Sequence, residues 1–260
     1  MILAALAAAA ISLAPPPLAP HPRIVIASDS TAAPYGPERY PQMGWGMALK
    51  CSLAPDVEVL NLARGGRSTR TYLEEGLWSV LLAKLGPGDT VLIQFGHNDA
   101  DTVKIERFTD PNGDFAVNLR RFVGDVRTAG ATPVLVTPLA RWNFVEGQVQ
   151  DTHGPYAATI RRVAAETGAR LIDLDADSMA ALQARGPLAS RGLYLFYTPQ
   201  DHVARYPDGI SDITHPNERG ARLAAALVAT RLKTLGLPIS RRVRPASVAS
   251  QARLGAPDCP

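Results

Sequence analysis

Residues 23–31 read Arg-Ile-Val-Ile-Ala-Ser-Asp-Ser-Thr, a short apolar, β-branched run that breaks into a polar turn. From Ile24 to Ala27 no polar residue alternates with the apolar ones. A strand that is apolar at every position is covered on both faces, which is the situation of a parallel sheet between helical layers. Near-continuous apolar runs recur at Val57–Ala63 (VEVLNLA), Asp89–Phe95 (DTVLIQF), Thr132–Thr137 (TPVLVT) and Arg170–Leu174 (RLIDL). Stretches with helical spacing separate these runs: Thr71–Leu85, Asp114–Ala129, Tyr156–Thr167, Asp175–Ala184 and Asn217–Leu235. Strand alternating with helix builds right-handed βαβ units. The expectation is a single α/β domain over residues 21–237. It is a three-layer α/β/α, flavodoxin-like fold with a five-stranded parallel sheet. Its site should lie at the carboxyl ends of the strands.

The chain has 260 residues and is 46% hydrophobic and 20% charged, ordinary fractions for a globular protein. A formal charge of +3 gives no argument for a nucleic-acid partner. Two cysteines exclude a disulfide-dense scaffold and a four-cysteine metal site. Residues 1–20 (MILAALAAAAISLAPPPLAP) read as a secretory leader, although nothing basic precedes the apolar run. A secreted or periplasmic protein without stable membrane insertion is the corresponding expectation, with Cys51 and Cys259 free to pair in an oxidising compartment. Residues 238–260 read as a flexible polar tail. Leu188–Thr214 shows no period and carries Tyr194, Phe196, Tyr197 and Tyr206, so it is expected to be an ordered loop lining the site.

Four polar segments fall at strand ends or before the last helix. They are Ser28-Asp29-Ser30-Thr31, Gly65-Gly66-Arg67-Ser68, Gly96-His97-Asn98-Asp99 and Asp212-Ile213-Thr214-His215. A serine hydroxyl needs a neighbouring base to act as a nucleophile at neutral pH. His215 is the candidate base for Ser30. Asp212, three residues earlier, is the candidate acceptor that fixes the imidazole. Pro216 suits the first position of the following helix. Acyl transfer also needs donors aimed at an oxyanion. The backbone N–H groups of Ser30 and Gly66 and the side-chain amide of Asn98 are the candidates.

Taken together and in this order, these segments resemble the SGNH (GDSL-type) hydrolases. With Thr137-Pro138 and Asp151-Thr152-His153-Gly154, they are similar to the rhamnogalacturonan acetylesterases among the carbohydrate esterases. The resemblance spans roughly residues 22–236. It implies a serine acetylesterase acting on acetylated pectic rhamnogalacturonan, with a Ser30–His215–Asp212 triad, an oxyanion hole of Ser30, Gly66 and Asn98, and no cofactor or metal. The family usually carries glycine where Ser28 stands. If that position requires positive φ, serine is strained there by about 1–3 kcal/mol.

Beyond the triad, Arg67, flanked by Arg64 and Arg70, is a candidate for binding uronate carboxylates. His153 is a candidate substrate contact, and Trp142 a candidate stacking platform for a sugar. His97, Asp29 and Asp99 are expected to brace turns rather than react. The implied partner is an acetylated polysaccharide or oligosaccharide acted on by a monomer, with no nucleic acid. Three rivals remain. Another acetylated glycan, or a lipid or thioester, would share the triad. A two-metal phosphoesterase needs ligand clusters that Gly-Gly-Arg-Ser and Pro-Leu-Ala-Arg do not supply. A carbohydrate-binding protein without activity would not need Ser30, Asp212 and His215 together.

Overall fold

The computed structural model describes residues 22–244 and Cys259. The expected leader, residues 1–20, and most of the expected tail lie outside the described residues. The sheet is formed by β1 (Arg23–Ser28), β2 (Glu58–Asn61), β3 (Thr90–Gln94), β4 (Thr132–Val136) and a strand at Arg170–Ile172. All pair in parallel, and β1 lies between β2 and β3. Two short strands, β5 (Phe144–Val145) and β6 (Gln148–Val149), form a separate hairpin, so the fifth sheet strand is β7. The order β2-β1-β3-β4-β7 is that of the expected flavodoxin-like sheet.

The uninterrupted apolar reading of β1 is explained by its two faces. Ile24 and Ile26 enter one core with α1 (Trp45–Ala48) and a later helix carrying Ala221, Ala225 and Val228. Val25 and Ala27 enter the other core with Trp78, Phe95, Phe122 and Ile160. The second core is covered by α2 (Thr69–Glu74), α3 (Leu77–Leu82), α4 (Asp114–Thr128) and α5 (Gly154–Thr167). On the first face lie α6 (Leu174–Arg191) and α7 (Glu218–Thr234). No helix among the described residues is long and apolar enough to cross a membrane.

The structure corrects several boundaries. The expected helix 71–85 is two helices, α2 and α3, because Gly76 turns left-handed between them. The helix expected at 175–184 continues to Arg191, with a break at Gly186 ahead of Pro187. Leu188–Thr214 is not an irregular loop. It holds the end of α6, β8 (Tyr194–Tyr197), a 3-10 turn at Pro199–Asp201 and most of β9 (Ile210–Pro216). β8 and β9 pair antiparallel. Strands this short, separated by turns, leave too few repeats for a period to show.

The packed domain extends further than expected. Ile239, Ser240 and Val243 are buried. Val243 bridges Leu53, and the Ala54 N–H donates to the Arg242 carbonyl at 2.8 Å. Residues 238–244 are therefore part of the packed domain. Cys51 and Cys259 are joined in a disulfide.

Candidate active site

β1 and β3 are neighbours in the sheet, yet the chain leaves β1 for β2 on one side and returns to β3 on the other. Loops diverge at such a point and leave a crevice above the strand ends. Ser30 stands at the end of β1 and Asn98 just beyond β3. The Ser30 turn is held by Asp29, whose Oδ1 accepts from the Thr31 N–H at 2.9 Å and the Thr31 hydroxyl at 2.8 Å. Gln94, the last residue of β3, donates to Ser28 Oγ at 3.0 Å and Thr31 Oγ1 at 2.7 Å. Ser28 lies within β1 and is not among the residues with positive φ, so the strain considered for serine there does not arise. Its hydroxyl instead ties the β1 end to β3.

His215 arrives through a distortion of the β8–β9 ribbon. Tyr194 pairs with Pro216, but the next residue, Leu195, pairs with Asp212. Ile213, Thr214 and His215 are thus bulged out of the ladder, and a bulge of this kind re-aims a side chain. The Trp142 N–H donates to the Ile213 carbonyl at 2.8 Å and holds the bulge. Asp212 Oδ1 accepts from the N–H of Thr214 at 2.7 Å and of His215 at 3.0 Å. Its Oδ2 lies 2.7 Å from His215 Nδ1. His215 Nε2 lies 2.9 Å from Ser30 Oγ. Burial alone would raise the Asp212 carboxyl, but the hydrogen bonds and charge of His215 and the two backbone donors hold it below its ordinary value. Pro216 is not the first helical residue; it ends β9, and Asn217 caps α7 by accepting from the N–H groups of Arg219 and Gly220.

Gly66 and Asn98, expected with Ser30 to supply the oxyanion donors, line the same cavity as Ser30. Gly66 has φ +79°, a left-handed conformation that glycine adopts without steric cost. No acceptor among the described residues takes the N–H of Ser30 or Gly66. The Asn98 amide donates to the Arg67 carbonyl at 3.0 Å, which fixes the side chain and leaves its second hydrogen available. Ser30, Gly66, Asn98 and His215 line one cavity of about 830 Å³.

The bracing residues are deeply committed. His97 is buried, with Nδ1 3.0 Å from Asp29 Oδ2 and Nε2 3.0 Å from the Leu139 carbonyl oxygen. Burial would raise the Asp29 carboxyl; the adjacent His97 and the Thr31 donors bring it below its ordinary value. Asp99 Oδ1 accepts from the Thr69 N–H and hydroxyl and from the Thr109 hydroxyl. Its Oδ2 is buried without a partner, and burial pushes the group up to about 6. Gly96 precedes this pair with φ +137° and lies so close to Pro138 that a Cβ would stand 2.8 Å from its Cγ.

The expected substrate contacts fare differently. Arg67 lies outside the cavity lining, with Nε on Glu75 at 2.9 Å and Nη1 on the Gly65 carbonyl at 2.8 Å. The Trp142 side chain lies away from the cavity. Its indole donates to the Pro187 carbonyl and Ser190 Oγ, each at 3.1 Å, and its ring packs on Phe144 and Phe196. His153 is buried edge-on against His97. Its Nδ1 lies 3.5 Å from Thr152 Oγ1 and 3.4 Å from Asp175 Oδ1, the latter not aligned as a hydrogen bond, and Nε2 has no partner. Burial pushes His153 down to about 4. Its neighbour Thr152 lines the cavity instead.

Four arginines of the cavity wall were not singled out by sequence: Arg39, Arg107, Arg141 and Arg205. Arg141 carried a signal, since it follows β4 at the carboxyl edge of the sheet. Searching Pro138–Arg141 only for metal ligands passes over it. Arg39 ends a three-residue 3-10 turn and Arg205 lies in an irregular segment, and neither is long enough for spacing to carry information.

Residues 29–223 match the model of the GDSL-like Lipase/Acylhydrolase family. The chain is 35% identical over 220 residues to the probable rhamnogalacturonan acetylesterase YesY of Bacillus subtilis, covering 85% of this chain and 96% of that one. It is 38% identical over 218 residues to the rhamnogalacturonan acetylesterase RhgT of the same organism, covering 84% and 92%. The crystal structure of YxiM from Bacillus subtilis superposes with a TM-score of 0.72 at 30% identity, covering 84% of this chain and 58% of that one. Axe2, an acetylxylan esterase from Geobacillus stearothermophilus, shares the fold with a TM-score of 0.57 at 18% identity, covering 81% and 93%.

Proposed function

This chain belongs to the GDSL-like lipase/acylhydrolase family and is a carboxylic ester hydrolase, and we propose that it removes O-acetyl groups from rhamnogalacturonan through an acyl-enzyme on Ser30. The observation that carries the proposal is the line from Ser30 Oγ to His215 Nε2, 2.9 Å, and from His215 Nδ1 to Asp212 Oδ2, 2.7 Å. Asp212 fixes the tautomer in which Nδ1 carries the proton and Nε2 accepts one. His215 takes the hydroxyl proton as Ser30 Oγ attacks the acetyl carbonyl. The N–H groups of Ser30 and Gly66 and the Asn98 amide receive the oxyanion. The tetrahedral intermediate collapses, and the departing sugar oxygen takes the proton from His215. Water, deprotonated by the same imidazole, then attacks the acetyl-serine ester and releases acetate and the free Ser30 hydroxyl.

The cavity wall favours a sugar over an acyl chain. Around Ser30 stand Tyr35, Gln42, Thr152, Tyr206 and arginines, not an apolar groove. The rhamnogalacturonan acetylesterase RhgT and the probable one YesY, aligned over most of both chains, support the pectic substrate. The proposal includes export: the Cys51–Cys259 disulfide suits an oxidising compartment outside the cytosol.

The test is acetate release from acetylated rhamnogalacturonan, with acetylated xylan as comparator and Ser30→Ala as control. Release from rhamnogalacturonan, lost by about 10³-fold or more in the folded variant, is the expected result. Serine-dependent release from xylan with none from rhamnogalacturonan refutes the substrate. Release that survives Ser30→Ala refutes the nucleophile.

A further inference from the structure

The cavity over Ser30 holds more positive charge than its own acids answer. Arg107 is paired with Asp101, its Nε donating at 3.0 Å. Asp212 is occupied by His215 and two backbone N–H groups. Asp29, beneath the floor, is occupied by His97 and Thr31. Three guanidinium groups remain with no ion pair among the described residues: Arg39, Arg141 and Arg205. Arg205 is exposed at the rim, and Arg39 lies over the Tyr35 ring, 5.9 Å from its centroid.

Arg141 stands apart from these two. It is half-buried in the wall shared with His97, Asn98 and His215, and its one hydrogen bond is a long one, from Nη2 to the His97 carbonyl oxygen at 3.5 Å. Burial lowers its pKa, and the carboxylates of Asp29, Asp101 and Asp212, all otherwise engaged, oppose that effect only through space. Removing a charge from water is costly unless a partner is supplied. A cation held in this way beside the reacting serine is complete only when a ligand brings the anion. The planar fork of arginine matches a carboxylate with two parallel hydrogen bonds.

We propose that Arg141 is the specificity determinant of the site, binding a uronate carboxylate of the acetylated chain, with Arg39 and Arg205 extending the positive rim along that acidic chain. The inference rests on the glycan acetylesterase reading above and adds to it the residue and the charge that select the substrate. It also explains why Arg67, beside the oxyanion glycine, is not needed for that task. Arg67 is already paired with Glu75, whereas Arg141 is unpaired.

The experiment compares kcat/KM for acetate release from acetylated rhamnogalacturonan oligosaccharides and from the same oligosaccharides with their uronate carboxyls converted to neutral amides. Wild-type protein is expected to prefer the acidic form by about 10–100-fold, the range of a charge-assisted paired contact. Raising the salt concentration is expected to narrow the preference. In Arg141→Gln the preference is expected to fall below about threefold, with Arg141→Lys keeping part of it, because a point charge attracts without the fork. Thermal unfolding of both variants shows that they are folded. Equal rates on acidic and amidated forms in the wild type, or an undiminished preference in folded Arg141→Gln, overturn the assignment while leaving the acetylesterase intact. Absence of release from either form, with Ser30-dependent hydrolysis of an aryl acetate, overturns the glycan reading and the Arg141 assignment together.

Discussion

Replacing Asp212 by asparagine separates orientation from structure at this site. The carboxylate makes three contacts of two kinds. Oδ1 accepts from two backbone N–H groups, at 2.7 and 3.0 Å, and Oδ2 faces His215 Nδ1 at 2.7 Å. An asparagine has one oxygen and one donor to place. With its oxygen on the two N–H groups it keeps two hydrogen bonds and points its NH₂ at Nδ1. The flipped amide would leave two N–H donors facing an NH₂, a difference of at least one net hydrogen bond, about 1 kcal/mol. The first orientation therefore prevails and the bulge keeps its shape. Nδ1 must then accept a hydrogen bond, so the imidazole proton moves to Nε2, which faces Ser30 Oγ and can no longer take the serine proton. The expected loss in kcat is about 10⁴-fold, equivalent to about 5 kcal/mol of transition-state stabilisation. Because Asp212 and His215 are both partly open to solvent, stability should change by no more than about 1 kcal/mol. Hydrolysis of an aryl acetate at pH 8 and covalent labelling of Ser30 by a serine-directed phosphonate should fall together, while the urea midpoint holds. An Asp212→Asn protein retaining a tenth of wild-type activity refutes the argument that Asp212 sets the His215 tautomer.

Other consequences follow from neighbouring contacts. Asn98→Ala removes one oxyanion donor and should lower kcat by about 10²–10³-fold with little change in KM; a KM effect alone would make Asn98 a binding residue only. Gly96→Ala forces a Cβ against Pro138 at a backbone angle of +137°, and should cost about 1–3 kcal/mol and displace His97 and Asn98 together; unchanged urea midpoint and rate would refute this. Asp99 and His153 should tilt the pH dependence of stability in opposite directions. The Asp99 carboxyl, raised to about 6, keeps its proton in the folded state after the unfolded chain has released it, so its contribution is lost as pH rises from about 4 to 6. His153, lowered to about 4, resists the proton that the unfolded chain accepts, so its contribution is lost as pH falls from 6.5 toward 4. Each is worth on the order of 3 kcal/mol, so the two largely cancel in the wild type. Asp99→Asn should destabilise more steeply on acidification and His153→Gln less steeply, read from urea midpoints at pH 4, 5, 6 and 7; parallel curves for all three proteins contradict this account.

The proposed catalytic set was legible in the sequence because each member belongs to a local device. Ser30 follows an apolar strand, Asn98 sits in a short turn after another, and Asp212 and His215 share one turn. Their roles need only the strand order to bring them together. Trp142 misled because an indole beside a strand end looks the same whether it faces a cavity or packs on Phe144 and Phe196. Arg141 was passed over for the opposite reason. Its importance lies in the carboxylates that fail to pair with it, and pairing is a property of the whole fold. The bulge at Ile213–His215 was hidden as well, since the register shift that creates it depends on β8, whose few residues show no period.

Ser30 and His215 meet across 185 residues of chain. A ribosome releases the nucleophile and both strands beneath it long before it releases the base. Until β9 and α7 emerge, Ile24 and Ile26 lack the helix that covers them, and the crevice lacks the side that carries His215. Chains fold vectorially as they are made, so on the proposed mechanism a nascent or truncated form ending before this ribbon lacks its general base however well its sheet has formed. On that mechanism, ester hydrolysis by this protein reports that the β8–β9 ribbon has docked on the sheet, and not the presence of a part.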